Sequence, residues 1–413
     1  MSQVEICRPS RLLLVSLWAV VCSLMFCNTS TAVGATGTLL PGSVGYPRLV
    51  RLSHGPASSS GWIVASTTGK LFVSKDDGKS FTYLADAPAR DESRVRCCEA
   101  LYELPQAVGS LPAGTLLYSA TYSIASTTSA PSLAIGTRPR AMQDMGTPAI
   151  EIYTSSDQGA HWSYHSAPVS GRGEKGAGGL WEPEFTVERD GALVMFWSDE
   201  TYSCCSQKLS KIRTYDGITW KDSSDVVAST IQADRPGMIV VSRLPTGLYF
   251  MSYEICGDPL TGPRCAAYYR TSRDGWNYGP ASDLGKKIQT TAGQYFEHAP
   301  ANSWSPSPLS PNGVILVIGQ VLHDPDGSVA EQNGKVLFMT ALLDGSGLWS
   351  AIPAPVEVPY SYDNPCPNYS SALMPTQDGK ALLELASDYY ALGKCGMFFA
   401  TEPWQELLKV QKK

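Results

Sequence analysis

Two glutamates sit where an all-β chain would ordinarily place apolar side chains. Glu182 lies within Leu180-Trp181-Glu182-Pro183-Glu184-Phe185, and Glu254 within Phe250-Met251-Ser252-Tyr253-Glu254-Ile255. Both runs read as inner strands, and a carboxylate buried there costs several kcal/mol unless it is paired or protonated. Cleavage of a glycosidic bond is one chemistry that uses such a pair. It needs one acid of raised pKa for the leaving oxygen and a second carboxylate as nucleophile or base. Structural ion pairs with neighbouring arginines explain the same residues equally well on spacing alone. Strand alternation puts Glu184 on the face of Glu182, which leaves two candidates for the acid.

The elements that must position these groups are short. From Pro41 onward, apolar runs such as 61–66, 70–74, 192–198, 247–254, 313–320 and 335–342 are broken by Asp-Gly and Asn-Gly turns, and no stretch keeps a helical period. A repeat underlies them. Ser74-x-Asp76-x-Gly78-x-x-Phe81 and Ser155-x-Asp157-x-Gly159-x-x-Trp162 share one spacing, with worn copies at Ser272-x-Asp274-Gly275-Trp276 and between Tyr215 and Trp220. This repeat resembles the Asp-box of sialidase-like propellers, a structural device in which the Asp and Ser side chains bond turn amides and the aromatic packs between blades. It speaks to fold and not to activity. Strand clusters near 42–86, 95–166, 180–222, 234–284, 294–353 and 367–401 predict an all-β, six-bladed β-propeller. Residues 41–52 are expected to close the last blade. The Ser/Thr/Pro-rich stretch 123–147 and the run 304–312 read as surface loops.

Composition narrows the setting. A net charge of -6 without a basic run gives no nucleic-acid surface. Arg8 and Arg11, the apolar run Leu12 to Cys27 and small residues around Ala32 to Ala35 predict a secretory signal over 1–35 and one catalytic domain over 36–413. The mature protein is then extracellular and monomeric, with no membrane partner. Eight cysteines remain after the signal, as suits oxidising export. Cys256 with Cys265 and Cys366 with Cys395 are expected to bridge, and the adjacent pairs Cys97-Cys98 and Cys204-Cys205 to bridge to each other, the connectivity staying open. Their spacing does not suit a zinc site. Asn28 and Asn368 carry glycosylation sequons.

The wider pattern is more specific. Trp181-Glu182-Pro183, Trp197-Ser198-Asp199-Glu200, Gln207-Lys208-Leu209, Arg235-Pro236-Gly237-Met238 and Tyr253-Glu254 together resemble glycoside hydrolase family 93, from about Tyr46 to the last blade. The resemblance implies a six-bladed exo-arabinanase acting on α-1,5-linked L-arabinan without metal or organic cofactor. It implies Glu182 as general acid/base and Glu254 as nucleophile of a retaining mechanism. Substrate-binding candidates are Arg48, Asp199, Glu200, Arg235, Tyr253, His298, Trp304 and Tyr369. Each has a plainer alternative: an Arg235–Asp234 ion pair, Asp199 and Glu200 as strand caps, Tyr369 as a core tyrosine. Two rival functions stay open, a sialidase and a non-catalytic glycan-binding propeller. The first needs an arginine cluster, and only Arg48 and Arg235 offer themselves.

Overall fold

A computed structural model describes residues 34–91, 93–124, 147–176, 178–257 and 264–409. The expected signal segment up to Val33, with Cys7, Cys22, Cys27 and the Asn28 sequon, lies outside the described residues, as does nearly all of the 123–147 insertion.

Alternating apolar strands and glycine-bearing turns build six antiparallel sheets arranged as a propeller. After β1 (Thr38–Leu40), blade I holds β2 (Arg48–Arg51), β3 (Ile63–Thr67), β4 (Lys70–Ser74) and β5 (Thr82–Asp86). Blade II holds β6 (Arg94–Glu103), β7 (Leu116–Ile124), β8 (Ala149–Ser155) and β9 (Ser163–Ser170). Blade III holds β10 (Leu180–Val187), β11 (Leu193–Asp199), β12 (Lys208–Thr214) and β13 (Lys221–Val227). Blade IV holds β14 (Gly237–Arg243), β15 (Tyr249–Ile255), β16 (Ala266–Ser272) and β17 (Lys286–Lys287). Next come β18 (Tyr295–Glu297), β19 (Ala301–Ser307), β20 (Ser310–Ile318), β21 (Val321–His323), β22 (Val336–Thr340) and β23 (Ser350–Pro353). Of these β19, β20, β22 and β23 form blade V, whereas β18 and β21 pair and extend the sheet of blade IV. Blade VI holds β24 (Ala372–Pro375), β25 (Ala381–Ala391) and β26 (Lys394–Pro403), and a short helix α1 (Trp404–Leu407) follows.

The first strands of the blades touch in the order β2, β6, β10, β14, β19, β24 and back to β2, which closes the ring. The expected closing strand is corrected: β1, not residues 41–52, pairs with β26, and Arg48–Arg51 is the inner strand of blade I. Residues 304–312, expected as a loop, instead contribute to the β19–β20 hairpin.

Asp-boxes join the third and fourth strands of blades I to IV. In blade II the Ser155 hydroxyl donates to Asp157 Oδ1 at 2.8 Å, and Asp157 Oδ1 accepts the His161 N–H at 2.9 Å. Thr214 with Asp216 and Ser272 with Asp274 repeat the hydroxyl bond at 2.9 and 2.8 Å. The aromatic residues fill the gaps between blades. Phe81 meets Phe399 of blade VI edge-on at 5.1 Å within a cluster drawn from blades I and VI.

Cysteines close four bridges. Cys256–Cys265 and Cys366–Cys395 pair as expected. The adjacent cysteines do not bridge pair to pair: Cys97 bonds Cys98, and Cys204 bonds Cys205. The Asn368 sequon is corrected as well. Asn368 is buried, and its side-chain amide donates to the carbonyls of Gly319 and Gln320 at 3.1 and 3.3 Å, so no glycan fits there. Among the described residues no helix is long and apolar enough to cross a membrane.

Candidate active site

At one face of the ring, every inner strand has a non-glycine residue in the left-handed region shortly before it or within its first half. These are Tyr46, Cys98, Glu182, Met238, His298 with Ala299, and Asn368 with Ser370, in blades I to VI. Such conformations cost about 1–3 kcal/mol each and persist only where surrounding structure enforces them. In blades II, III and IV the residue sits in a β-bulge, between Cys97 and Ala100, Trp181 and Glu184, and Gly237 and Val240. A bulge re-aims the side chain it carries. Here it turns Glu182 towards the start of β14.

Glu182 Oε2 accepts the Ser198 hydroxyl at 2.5 Å and the Met238 N–H at 3.0 Å. Burial pushes its carboxyl up to about 7; the Glu254 charge acts in the same direction, against the Ser198 and Met238 donors and Arg235. Glu182 is therefore a proton donor at neutral pH that still reaches solvent, being only half-buried.

Glu254 is not on an innermost strand, as expected from its sequence context, but at the end of β15, the second strand of blade IV. Its cross-strand partner is Gly237. A Cβ on Gly237 would lie 3.5 Å from Glu254 Oε1 and 2.5 Å from Gln207 Nε2, so the glycine clears the space through which Glu254 reaches the ring centre. Glu254 Oε2 accepts the Ala299 N–H at 2.9 Å and faces His298 Nδ1 at 3.6 Å. His298 also lies 3.5 Å from both Glu297 and Asp363. Burial alone would lower its pKa, but Asp363 and Glu254 outweigh that and push it up to about 10. The two glutamates thus flank the bulge at Gly237–Met238 that opens β14, with His298 behind Glu254.

Glu184 lies two residues further along β10. Its Oε1 accepts the Val241 N–H at 3.2 Å, and burial raises it to about 7 against the pull of Arg48. Glu182 is thus anchored one residue from Gly237, the cross-strand partner of Glu254, whereas Glu184 is anchored four residues from it.

The remaining candidates divide. Arg48 reaches the centre, donating to Ser370 Oγ at 3.0 Å and lying 4.3 Å over the Tyr46 ring. Arg235 pairs with Glu200, not with Asp234, which accepts from the Ser229 hydroxyl. Tyr369 stands at the centre with its hydroxyl 3.8 Å from Met238 Sδ. Asp199 is buried and caps its own strand end, accepting from the Thr201 N–H at 2.8 Å and the Trp197 indole at 3.1 Å. Tyr253 is corrected from substrate contact to core: alternation points it away from Glu254, and its hydroxyl donates to the Leu284 carbonyl at 2.7 Å. Trp304 is corrected too. Its indole donates to the Asn312 carbonyl at 3.0 Å, and it lines a concavity with Arg243 and Leu244, whose β14–β15 turn is at the opposite face.

Sequence reading missed Glu99, the acid after the Cys97–Cys98 bulge. It is fully buried and raised by burial to about 8, with Tyr118 donating to it at 3.1 Å. An acid inside an apolar strand was its available signal. Asp363 carried no such signal. A 440 Å³ concavity lined by Arg189, Arg243 and Arg273 also lies at the opposite ends of the strands and contains neither glutamate. Glu254, Cys256 and Cys265 come close enough to suggest a metal cluster, but the two sulfurs are bonded to each other and offer no thiolate.

No family model and no curated protein matches the chain. Solved structures do. The chain is similar to the family 93 α-L-arabinofuranosidase of Fusarium graminearum in complex with arabinobiose, at 22% identity and TM-score 0.70, over 91% of this chain and 99% of that one. It is similar to the α-L-arabinanase of Penicillium chrysogenum, also complexed with arabinobiose, at 24% identity and TM-score 0.68, over 91% and 97%. The NanB sialidase of Streptococcus pneumoniae matches more distantly, at 12% identity and TM-score 0.54, over 90% of this chain and 70% of that one. These likenesses establish the fold: the chain is a sialidase-like six-bladed propeller of the form that family 93 enzymes share.

Proposed function

We propose that the protein is a secreted, retaining glycoside hydrolase that acts from the chain end on α-1,5-linked L-arabinan and releases a short oligosaccharide of arabinobiose size. The observation that carries this reading is the placement of Glu182 and Glu254 on either side of the Gly237–Met238 bulge of β14. One carboxyl is held protonated near neutrality by burial and by the charge of the other, and the second is backed by His298. That division of protonation is what a glycosidase requires of two acids. Glu182 protonates the departing glycosidic oxygen while a Glu254 oxygen forms the bond to the anomeric carbon. Glu182, now ionised, takes a proton from water as that water displaces Glu254 and restores both groups. Glu182 serves better than Glu184 because it is bonded at Met238, beside the Gly237 that pairs with Glu254, whereas Glu184 is bonded further along β14 at Val241. Arg48, Glu200, Arg235, His298 and Tyr369 surround this pair as substrate-contacting residues.

The arabinobiose held by the Fusarium and Penicillium neighbours supports the sugar. The signal-like N-terminus and the disulfides support export of a single catalytic domain over 36–413. A sialidase is disfavoured because Arg235 is neutralised by Glu200, which leaves Arg48 as the one arginine beside the glutamate pair among the described residues named for the site. The test is incubation of the mature protein with debranched α-1,5-L-arabinan. Accumulation of one short product from the earliest times is expected. Cleavage of a sialoside instead would overturn the reading in favour of a sialidase, and glycan binding without turnover would make the protein a binding propeller.

A further inference from the structure

The Cys97–Cys98 disulfide occupies a position that a stabilising bridge does not need. It joins neighbouring residues, so it closes no long loop and removes little freedom from the unfolded chain. Its place in the ring is more telling. Cys98 stands in the bulge of β6 where Glu182 stands in the bulge of β10 and Met238 in that of β14, and all three have φ near +60°, at 61°, 56° and 59°. The same backbone device that aims Glu182 at the ring centre therefore aims Cys98 there.

What surrounds Cys98 confirms the direction. Tyr46, Met238 and Ala299 pack together with Cys98 and Tyr369 against them, which brings five blades to one small apolar cluster. Two members of that cluster hold the paired acids: the Met238 N–H donates to Glu182 and the Ala299 N–H to Glu254. Cys97, Cys98 and Tyr369 are only half-buried, so the cluster keeps an open rim. Behind the disulfide, burial keeps Glu99 neutral at ordinary pH. Blade II thus offers the centre two polarizable, uncharged sulfurs, which pack against this cluster through Cys98.

We propose that the Cys97–Cys98 disulfide is a substrate-contacting wall of the axial site, receiving the apolar C–H face of a neutral glycosyl unit while Glu182 and Glu254 address its anomeric centre. This rests on the proposed function. Adjacent bridged cysteines suit the task because the small covalent ring fixes both sulfurs, so little side-chain freedom is lost when sugar binds. The inference adds a specificity element: the disulfide carries no charge, so it recognises a C–H face and not an ionised group.

The test uses the full mature protein with Cys97→Ala and Cys98→Gly combined, since glycine accepts the left-handed backbone of residue 98 without strain. On linear arabinan KM should rise about tenfold, as loss of a contact worth roughly 1.4 kcal/mol requires, with kcat changing less than about threefold. The alkaline limb of the pH profile should stay in place. An unchanged KM overturns the inference. So does a fall in kcat with a displaced limb, which would make the disulfide a positioning element for the glutamates. Wild-type protein inert on arabinan overturns the proposed function itself, and with it the ligand assigned here. A second measurement does not depend on the variant folding. In crystals of Glu254→Gln soaked with arabinobiose, sugar carbons should lie within about 4 Å of Cys98 Sγ. A sugar seated between the glutamates with the disulfide uncovered overturns the inference.

Discussion

The two ends of the blades treat their carboxylates in opposite ways. At the Asp-box ends, left-handed positions fall to glycines such as Gly159 and Gly275, with Asp77 and Gln158 alongside, and the box acids are bound into turns. Asp216 is held well below the usual carboxylate range by the N–H groups of Thr219 and Ile218. Partial burial pulls Asp274 upward, yet donors from Asn277, Trp276 and Ser272 bring it down to about 2. At the axial ends, left-handed positions are taken by Glu182, Met238 and Cys98, and burial pushes Glu182 and Glu184 up to about 7 and Glu99 up to about 8. One end uses acids as permanently ionised turn anchors. The other tolerates desolvation that pushes its acids upward, which is the pattern expected of a functional site more than of a structural one.

The sharpest way to break this contrast is to neutralise acids at each end. Glu254→Gln should lower kcat on the order of 10⁴-fold or more, as loss of a nucleophile does, and Glu182→Gln about 10²–10⁴-fold. Glu182→Gln should not lower the melting temperature measured by calorimetry, because it replaces a desolvated carboxyl with a neutral isostere. Asp274→Ala should behave inversely. It removes an ionised acceptor of the Trp276 and Asn277 N–H groups, bonded at 2.9 and 2.7 Å, and should cost about 1.5–3 kcal/mol in urea unfolding while kcat stays at the wild-type value.

A smaller effect sharpens the axial half. With Glu182 as general acid, the rate should fall as pH rises through about 7. The Ser198 hydroxyl favours the ionised form, so Ser198→Ala should move that alkaline limb upward by about one pH unit. The smallest effect concerns stability. Glu99 has a folded pKa of about 8 against an ordinary 4.5, so the folded chain binds the proton more tightly than the unfolded chain. Its contribution is present below about pH 4.5 and is lost as pH rises to about 8. Glu99→Gln should therefore flatten the fall in melting temperature between those values.

The propeller was readable because its signals are local. Strand alternation, Asp-Gly turns and the Ser-x-Asp spacing each act within a few residues, and the structure places Asp-boxes in all four expected blades. Glu182 and Glu254 were readable for the opposite reason, as local violations of an apolar pattern. Partners set by ring closure were not. Arg235 meets Glu200 of the neighbouring blade in place of its sequence neighbour Asp234, and His298 meets Asp363 from an irregular segment. The bulges at Cys98, Glu182 and Met238 carry no residue-type signature, because left-handed backbone without glycine is imposed by the ring. Tyr253 could have been placed correctly, since alternation alone sets it opposite Glu254 and into the core.

The most direct test of the central claim is sugar release from linear α-1,5-L-arabinan by wild-type, Glu182→Gln and Asp274→Ala proteins, followed side by side at a temperature where all three are folded. The account predicts a single short product from wild type and Asp274→Ala at equal rates, and a rate at least about 10²-fold lower from Glu182→Gln. Undiminished release by Glu182→Gln would contradict it.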